Sequence, residues 1–389
     1  MSYRFDAEDV RYLRSRAGVA ALALVSCLPL TDASRLSDVA AARKIAGQRG
    51  AAVLETALLR RRAGAKLADA DGWLFTDAAL QQATATPVAR YRAERLAGRD
   101  VHDVTCSIGA DVIELARVAP RCLGSDVDGV RLAMARHNCG RAEVLPTLLH
   151  ADALRPVSRD TVVVADPARR DARGRRTLSA RDVIPPLDEL ETAYAGRELA
   201  VKCAPGLDFT TVRWAGEVEV ISYRSHVREA CLWTGDLATA GRRATVLRRD
   251  GSRWTITDAE ADDCEVRAPG EWLIEPDGAV IRAGLVRHYA ARHGLGQLDA
   301  RIAYLTGDAP PAGVRAFRVL EHGKYTEKAV RAMLRRHDVG RLEIMVRGLD
   351  IGPDDLRRRL RPSGDEEATL VLTRIGRTPA AFLCRAGYA

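Results

Sequence analysis

Asp103-Val-Thr-Cys-Ser-Ile-Gly109 is the stretch that decides the fold. An apolar lead-in precedes it, and a helical stretch, Val112 to Ala119, follows it. The acidic run Gly124-Ser-Asp-Val-Asp128 lies about twenty residues on. This is the layout of a ligand site at the open end of a parallel sheet. A first strand ends in a tight turn, a helix N-terminus faces the ligand, and a second strand ends in a carboxylate that can hold two ribose hydroxyls. Dinucleotide sites place glycine at three points of the turn so that the backbone can approach a pyrophosphate. Only Gly109 is present here, with Thr105 and Ser107 at the earlier points. The turn therefore suits a nucleoside ligand without phosphates, such as S-adenosylmethionine, better than NAD.

Working outward, short apolar strands alternate with helical stretches. The strands read as Val101 to Thr105, Cys122 to Ser125, Leu145 to His150 and Val162 to Ala165. That alternation predicts an α/β fold, a Rossmann-like doubly wound parallel sheet covered by helices. Leu199 to Cys203, Val218 to Tyr223, Val227 to Trp233 and Ala244 to Arg248 extend the sheet. The last of these have no helix-length gap between them, which predicts antiparallel pairing at one edge.

Residues 1–97 read as an N-terminal helical domain. Asp6 is placed to cap a helix running through Arg14 into the apolar stretch ending near Pro29. Asp32 opens a second helix, Ala51 to Arg62 forms a third, Asp77 caps a fourth, and Pro87 marks a restart before Val88 to Leu96. Residues 98–267 hold the sheet. Residues 268–389 read as a small α+β domain with helices at Ala279 to His293, Glu327 to His337 and Asp354 to Leu360. Its strands read as Ala316 to Glu321, Arg341 to Val346 and Thr369 to Arg374.

Composition agrees. A chain of 389 residues, 47% hydrophobic and 29% charged, is long enough for two or three globular domains. A net charge of +8 permits a polyanionic partner. Eight scattered cysteines without CxxC spacing, and eight histidines without ligand spacing, predict no metal. The apolar stretch Val19 to Leu30 is too short to span a bilayer. The expectation is a cytoplasmic protein with reduced thiols and no membrane contact.

The motifs resemble class I S-adenosylmethionine-dependent methyltransferases that carry a C-terminal THUMP-like domain. More distantly they are similar to the trimethylguanosine synthase group of RNA methyltransferases. The matching residues are Asp103, Cys106 and Gly109, then Asp126 and Asp128, then Ala151-Asp152-Ala153, then Asp166-Pro167-Ala168-Arg169. Trp73-Leu-Phe-Thr76 with Ala83 to Leu96 resembles the segment that precedes the first motif. The resemblance implies S-adenosylmethionine as cofactor. Asp126 and Asp128 would hold its ribose, and Asp152 would face its adenine. Asp103 and Gly109, with Cys106 and Ser107 in the same turn, would face its methionine end. Asp166, Pro167 and Arg169 would form the catalytic motif, in which Asp166 and Pro167 present a substrate nitrogen. Ala168 departs from the second proline of the nitrogen methyltransferases, and Arg169 from the aromatic residue of the trimethylguanosine synthases. The THUMP-like domain implies docking of structured RNA, which makes tRNA or rRNA the expected partner.

Two further features bear on the substrate. Residues 169–176 hold five arginines against one acid, Asp171, a basic segment suited either to phosphates or to a salt-bridged surface. Lys202-Cys203-Ala204-Pro205 is similar to the nucleophile segment of RNA uridine C5-methyltransferases, in which a thiolate attacks the pyrimidine. Ala204 replaces the asparagine found there. Methylation of a base nitrogen is the leading expectation. C5 chemistry at Cys203, a small-molecule or protein methyltransferase, and an inactive RNA-binding protein stand as alternatives.

Overall fold

The computed structural model describes residues 3–168, 180 and 182–388. The basic segment 169–176, and Arg169 with it, lies outside the described residues. The chain divides into two compact units. The first comprises Met1–Tyr223, Arg228–Thr239 and Leu247–Ser252; the second comprises Arg224–Val227, Ala240–Val246 and Arg253–Ala389.

The first unit opens with helices α1 (Ala7–Arg14), α2 (Arg16–Ser26), α3 (Arg35–Ala46), α4 (Gly50–Ala63), α5 (Asp77–Gln82) and α6 (Thr86–Arg95). Asp6 caps α1 in a reciprocal box with Asp9. The helix does not run on into the apolar stretch as the sequence reading has it. Ser15 leaves helical geometry, and its hydroxyl accepts the Gly18 N–H at 3.1 Å to start α2. Gly18 permits the bend, because a Cβ there would lie 2.0 Å from the Tyr12 carbonyl oxygen. Asp32 does not open α3. Thr31 and Ser34 close a reciprocal turn at 3.0 and 3.2 Å, and α3 starts after Ser34. Thr76 rather than Asp77 caps α5, accepting the Ala79 N–H at 3.1 Å. Pro87 sits in the first turn of α6, where a missing N–H costs nothing.

The sheet then follows: β1 (Val101–Asp103), α7 (Ala110–Ala116), β2 (Cys122–Asp126), α8 (Gly129–Arg141), β3 (Thr147–His150), β4 (Val162–Ala165), α9 (Leu187–Ala193), β5 (Leu199–Cys203), β6 (Glu217–Tyr223) and β7 (His226–Trp233). Within this unit the order is β3-β2-β1-β4-β5-β7-β6. The strands from β3 to β5 pair in parallel, and β7 runs antiparallel to β5, as the spacing predicts. All four residues of β4 are buried, as a strand covered on both faces requires. The N-terminal helices share a core with the sheet, in which Leu74 and Phe75 join Ile108 and Val112. The Asn138 amide fixes that junction: Leu74 N donates to Asn138 Oδ1 at 2.8 Å, and Asn138 Nδ2 donates to Leu74 O at 3.0 Å and to Ile108 O at 2.9 Å.

The second unit contains β8 (Arg242–Leu247), β9 (Arg253–Thr257), β10 (Trp272–Ile274), α10 (Gly278–Arg282), α11 (Val286–Arg292), β11 (Gly296–Asp299), β12 (Ile302–Gly307), β13 (Arg315–Lys324), α12 (Glu327–Arg336), β14 (Val339–Val346), α13 (Pro353–Leu360), β15 (Glu366–Ile375) and β16 (Thr378–Tyr388). One sheet runs β11-β12-β10-β13-β16-β15-β14. The single helix expected over Ala279 to His293 is two, because Gly284 turns to φ +71° between them. Among the described residues no helix is long and apolar enough to cross a membrane.

Candidate active site

A cavity of about 440 Å³ opens in the first unit beyond the carboxyl ends of β1, β2 and β4. β1 lies between β2 and β4, so the strand order reverses here, and the crevice at such a switch point is where doubly wound sheets bind ligands. A larger open depression of about 820 Å³ lies by Asp100, Thr161 and Glu198, at the opposite ends of the strands, away from every motif. Of the sequence-predicted residues, Cys106, Ser107, Asp126, Asp152 and Asp166 line the cavity. Ala79, Gln82 and Ala83 supply a further wall, and of these only Ala83 belongs to the stretches that resemble the segment before the first motif.

The turn after β1 keeps a glycine's shape at Ser107, with Gly109 as its one glycine. Ser107 adopts φ +49°, a left-handed conformation uncommon for a side-chain-bearing residue. Its N–H donates to Asp126 Oδ2 at 2.9 Å, while Asp126 Oδ1 accepts the Asp128 N–H at 2.8 Å. Thr105 is used through its hydroxyl, which accepts the Asp166 N–H at 2.6 Å. Gly109, the N-cap of α7 at φ +86°, serves helix packing: a Cβ there would meet Ala135 at 3.4 Å.

Asp103, Gly109, Asp128 and Pro167 are not among the cavity-lining residues. Asp128 is the N-cap of α8, accepting from Val130 N at 2.9 Å and Arg131 N at 3.1 Å. Asp103 is buried behind the turn, where its Oδ1 accepts the Thr105 N–H at 3.0 Å. Burial, reinforced by Asp111 and Asp166, pushes its carboxyl up to about 8, so Asp103 carries a proton at neutral pH. Asp152 Oδ1 accepts the Leu154 N–H at 2.9 Å.

Sequence reasoning missed a buried charge chain beside the cavity. Asp111, in the first turn of α7, lines the cavity and pairs with Arg92 of α6. Arg92 also pairs with Glu229 of β7. Lys202 of β5 pairs with Asp166, donates to Thr84 Oγ1 at 2.8 Å, and lies 4.0 Å from Glu229. Burial opposes the charge on Lys202, but Asp166, Glu229 and Asp111 outweigh it and hold the ammonium above the usual lysine range. Burial likewise works against ionised Asp111, yet Arg92 and Lys202 keep its carboxyl below the usual range. The only sequence signals were polar residues inside apolar strands and a carboxylate two residues past Gly109. Cys203 ends β5, is buried, and does not line the cavity. Strand alternation sends Lys202 and Cys203 to opposite faces, and it is Lys202 that reaches the motif.

The residues present fit a cationic nucleoside. Asp111, Asp126, Asp152 and Asp166 line one cavity of ligand size, and each Asp126 oxygen, with one backbone donor, keeps lone-pair capacity for a hydroxyl.

The chain is similar to known proteins in sequence and in fold. Residues 314–386 match the THUMP domain-like family, and residues 6–63 match a domain of unknown function (DUF8688). A crystal structure from Porphyromonas gingivalis W83, provisionally assigned as a methyltransferase, superposes with a TM-score of 0.74 over 100% of both chains at 19% identity, which shows the fold alone. Two Mycobacterium tuberculosis proteins, from strains CDC 1551 and H37Rv, are each named an uncharacterized S-adenosylmethionine-dependent methyltransferase. Each is 53% identical to this chain over 354 residues, spanning 87% of this chain and 98% of the relative. At that identity and coverage, the chain belongs to the S-adenosylmethionine-dependent methyltransferases.

Proposed function

We propose that this methyltransferase acts on RNA and methylates a base nitrogen in tRNA or rRNA, in the cytoplasm. The observation that carries the reading is the position of Asp166. It directly follows β4 and lines the cavity that Asp126 also lines, its N–H is fixed by Thr105, and its carboxylate is fixed by Lys202. S-adenosylmethionine, when bound, supplies a methyl group on a sulfonium. Asp126 accepts the ribose hydroxyls and Asp152 faces the adenine. Asp103, Cys106, Ser107 and Gly109 build the turn at the methionine end, and Asp128 holds the start of α8 beside it. Asp166 accepts an N–H of the substrate amine and, with Pro167, orients its nitrogen toward the methyl. The THUMP-like match and the net charge of +8 support RNA as the partner. Arg169 and the other arginines of residues 169–176 are proposed to meet phosphates. Eight cysteines, none of them in a disulfide among the described residues, support the cytoplasm.

Mass spectrometry of nucleosides from total RNA, with and without the gene, tests the reading. One methylated nucleoside should vanish without the gene. Purified enzyme should restore it, and Asp166→Ala should not, although that variant still binds the cofactor. An unchanged nucleoside profile, with no methyl incorporation by the purified enzyme, would overturn the RNA assignment.

A further inference from the structure

Lys202 is buried, with its side chain 5% exposed, and a lysine is rarely buried without partners. Its ammonium joins Asp166 and Thr84, and through Glu229 it reaches Arg92 and Asp111. Two cations and three carboxylates therefore form one chain, carried by α6, α7, β5, β7 and the end of β4. Its two ends, Asp111 and Asp166, line the cavity, whereas Thr84, Arg92, Lys202 and Glu229 do not. Removing so many charges from water is costly, and apolar residues of similar volume would pack the same space with equal or better stability. The arrangement calls for a role in aiming the carboxylates.

We propose that Lys202 is a positioning residue that fixes the Asp166 carboxylate as a hydrogen-bond acceptor at the cavity wall, and thereby selects a substrate atom that carries a hydrogen it can donate. This rests on the assignment of Asp166 to the substrate. One oxygen of Asp166 accepts from the ammonium, so the carboxylate meets the substrate as an acceptor. An exocyclic amine supplies an N–H to that acceptor. The C5 carbon of a pyrimidine supplies no such donor, so the same geometry favours nitrogen over carbon. Thr84 Oγ1 accepts a second hydrogen of the ammonium at 2.8 Å and itself donates to Asp111 Oδ2 at 3.2 Å, so it ties Lys202 to both ends of the chain.

The test measures kcat and KM for methylation of RNA taken from cells lacking the gene, together with calorimetric binding of the demethylated cofactor. The enzymes are the native chain, Lys202→Met, Lys202→Arg, Thr84→Val and Asp166→Ala. Lys202→Met should lower kcat at least tenfold while the KM for RNA and the cofactor affinity stay within threefold. Lys202→Arg should recover part of the lost kcat, since it restores a cation with a different reach. Thr84→Val, which keeps every charge, should lower kcat about threefold with the same unchanged binding, and it stands as the test should Lys202→Met fail to fold. A native kcat in Lys202→Met or Thr84→Val beside an inactive Asp166→Ala would overturn the positioning role alone. An equal fall in cofactor affinity would also overturn it, since that is general damage to the site. A native rate in Asp166→Ala, or no methylation of this RNA by the native enzyme, would remove the reading of the site itself, and this inference with it.

Discussion

The Thr105 hydroxyl joins the first motif to the fourth: it accepts the Asp166 N–H at 2.6 Å and lies 3.5 Å from Asp103 Oδ1, to which it donates. A glycine at this point would let a pyrophosphate approach; the threonine instead fixes the backbone from which Asp166 projects. Thr105→Val removes the acceptor and leaves that N–H without its partner. The loss should be about 1–3 kcal/mol of stability, the cost of a buried donor left unsatisfied. Methylation should fall more than cofactor affinity does. Denaturant melts beside calorimetry check this, and unchanged methylation would refute the linking role.

Asp126 organises the turn as well as facing the cavity, since both its oxygens take backbone donors. Asp126→Ala should weaken S-adenosylmethionine binding by roughly 1.5–3 kcal/mol, the range for hydrogen bonds to a charged group. NAD should bind to neither protein. Calorimetry decides: unchanged affinity in the variant would remove Asp126 from the ribose.

Ser107 holds φ +49° at a point where dinucleotide sites have glycine. The left-handed conformation costs a side-chain-bearing residue about 1–2 kcal/mol. Glycine relieves that strain but loses about 0.5–1 kcal/mol through its freer unfolded chain. Ser107→Gly should therefore stabilise the protein by about 0.5 kcal/mol and keep the N–H to Asp126. A variant less stable than the native chain in urea would show that the serine side chain contributes contacts of its own.

The fold was legible where backbone sterics dominate. The alternation from Val101 onward, the antiparallel partner of β5 and the α6 restart at Pro87 all follow from local pattern. The break between α1 and α2 was not read, although its signal is local: the Ser15 hydroxyl caps α2 through the Gly18 N–H, and Gly18 has no Cβ to meet the Tyr12 carbonyl. In the site, residues with motif spacing could be read, whereas Arg92, Lys202 and Glu229 could not. Their partners lie as far as 137 residues apart in sequence, and only folding places them together. Lys202 is the sequence neighbour of Cys203, yet its side chain joins Asp166 across the sheet.

Cys203 is buried at the end of β5 and is not among the cavity-lining residues. Cys203→Ala should therefore retain most of the methylation rate, with at most a modest loss of stability from the removed thiol. A covalent adduct between RNA and Cys203, trapped by denaturing electrophoresis, would overturn the nitrogen assignment in favour of C5 chemistry.

The last prediction concerns pH. Asp103 titrates at about 8 in the folded chain, whereas an unfolded aspartate titrates at about 3.9. The folded state thus keeps a proton that the unfolded state releases. The stabilising contribution is full below about pH 4 and is lost progressively as pH rises toward 8. Asparagine at this position does not titrate, and its side-chain oxygen can still accept the Thr105 N–H. Asp103→Asn should therefore gain stability over the native chain as pH rises from 5 to 8, by at most about 1.4 kcal/mol per unit. Urea unfolding of both proteins without cofactor, at four pH values across that window, measures the gain. A difference that stays constant with pH would show that Asp103 is ionised throughout. The same proton provides a second readout. A cation bound in the cavity favours ionised Asp103, so binding of S-adenosylmethionine near pH 7 should release protons. The binding enthalpy should then vary with the ionisation enthalpy of the buffer for the native chain, and vary less for Asp103→Asn.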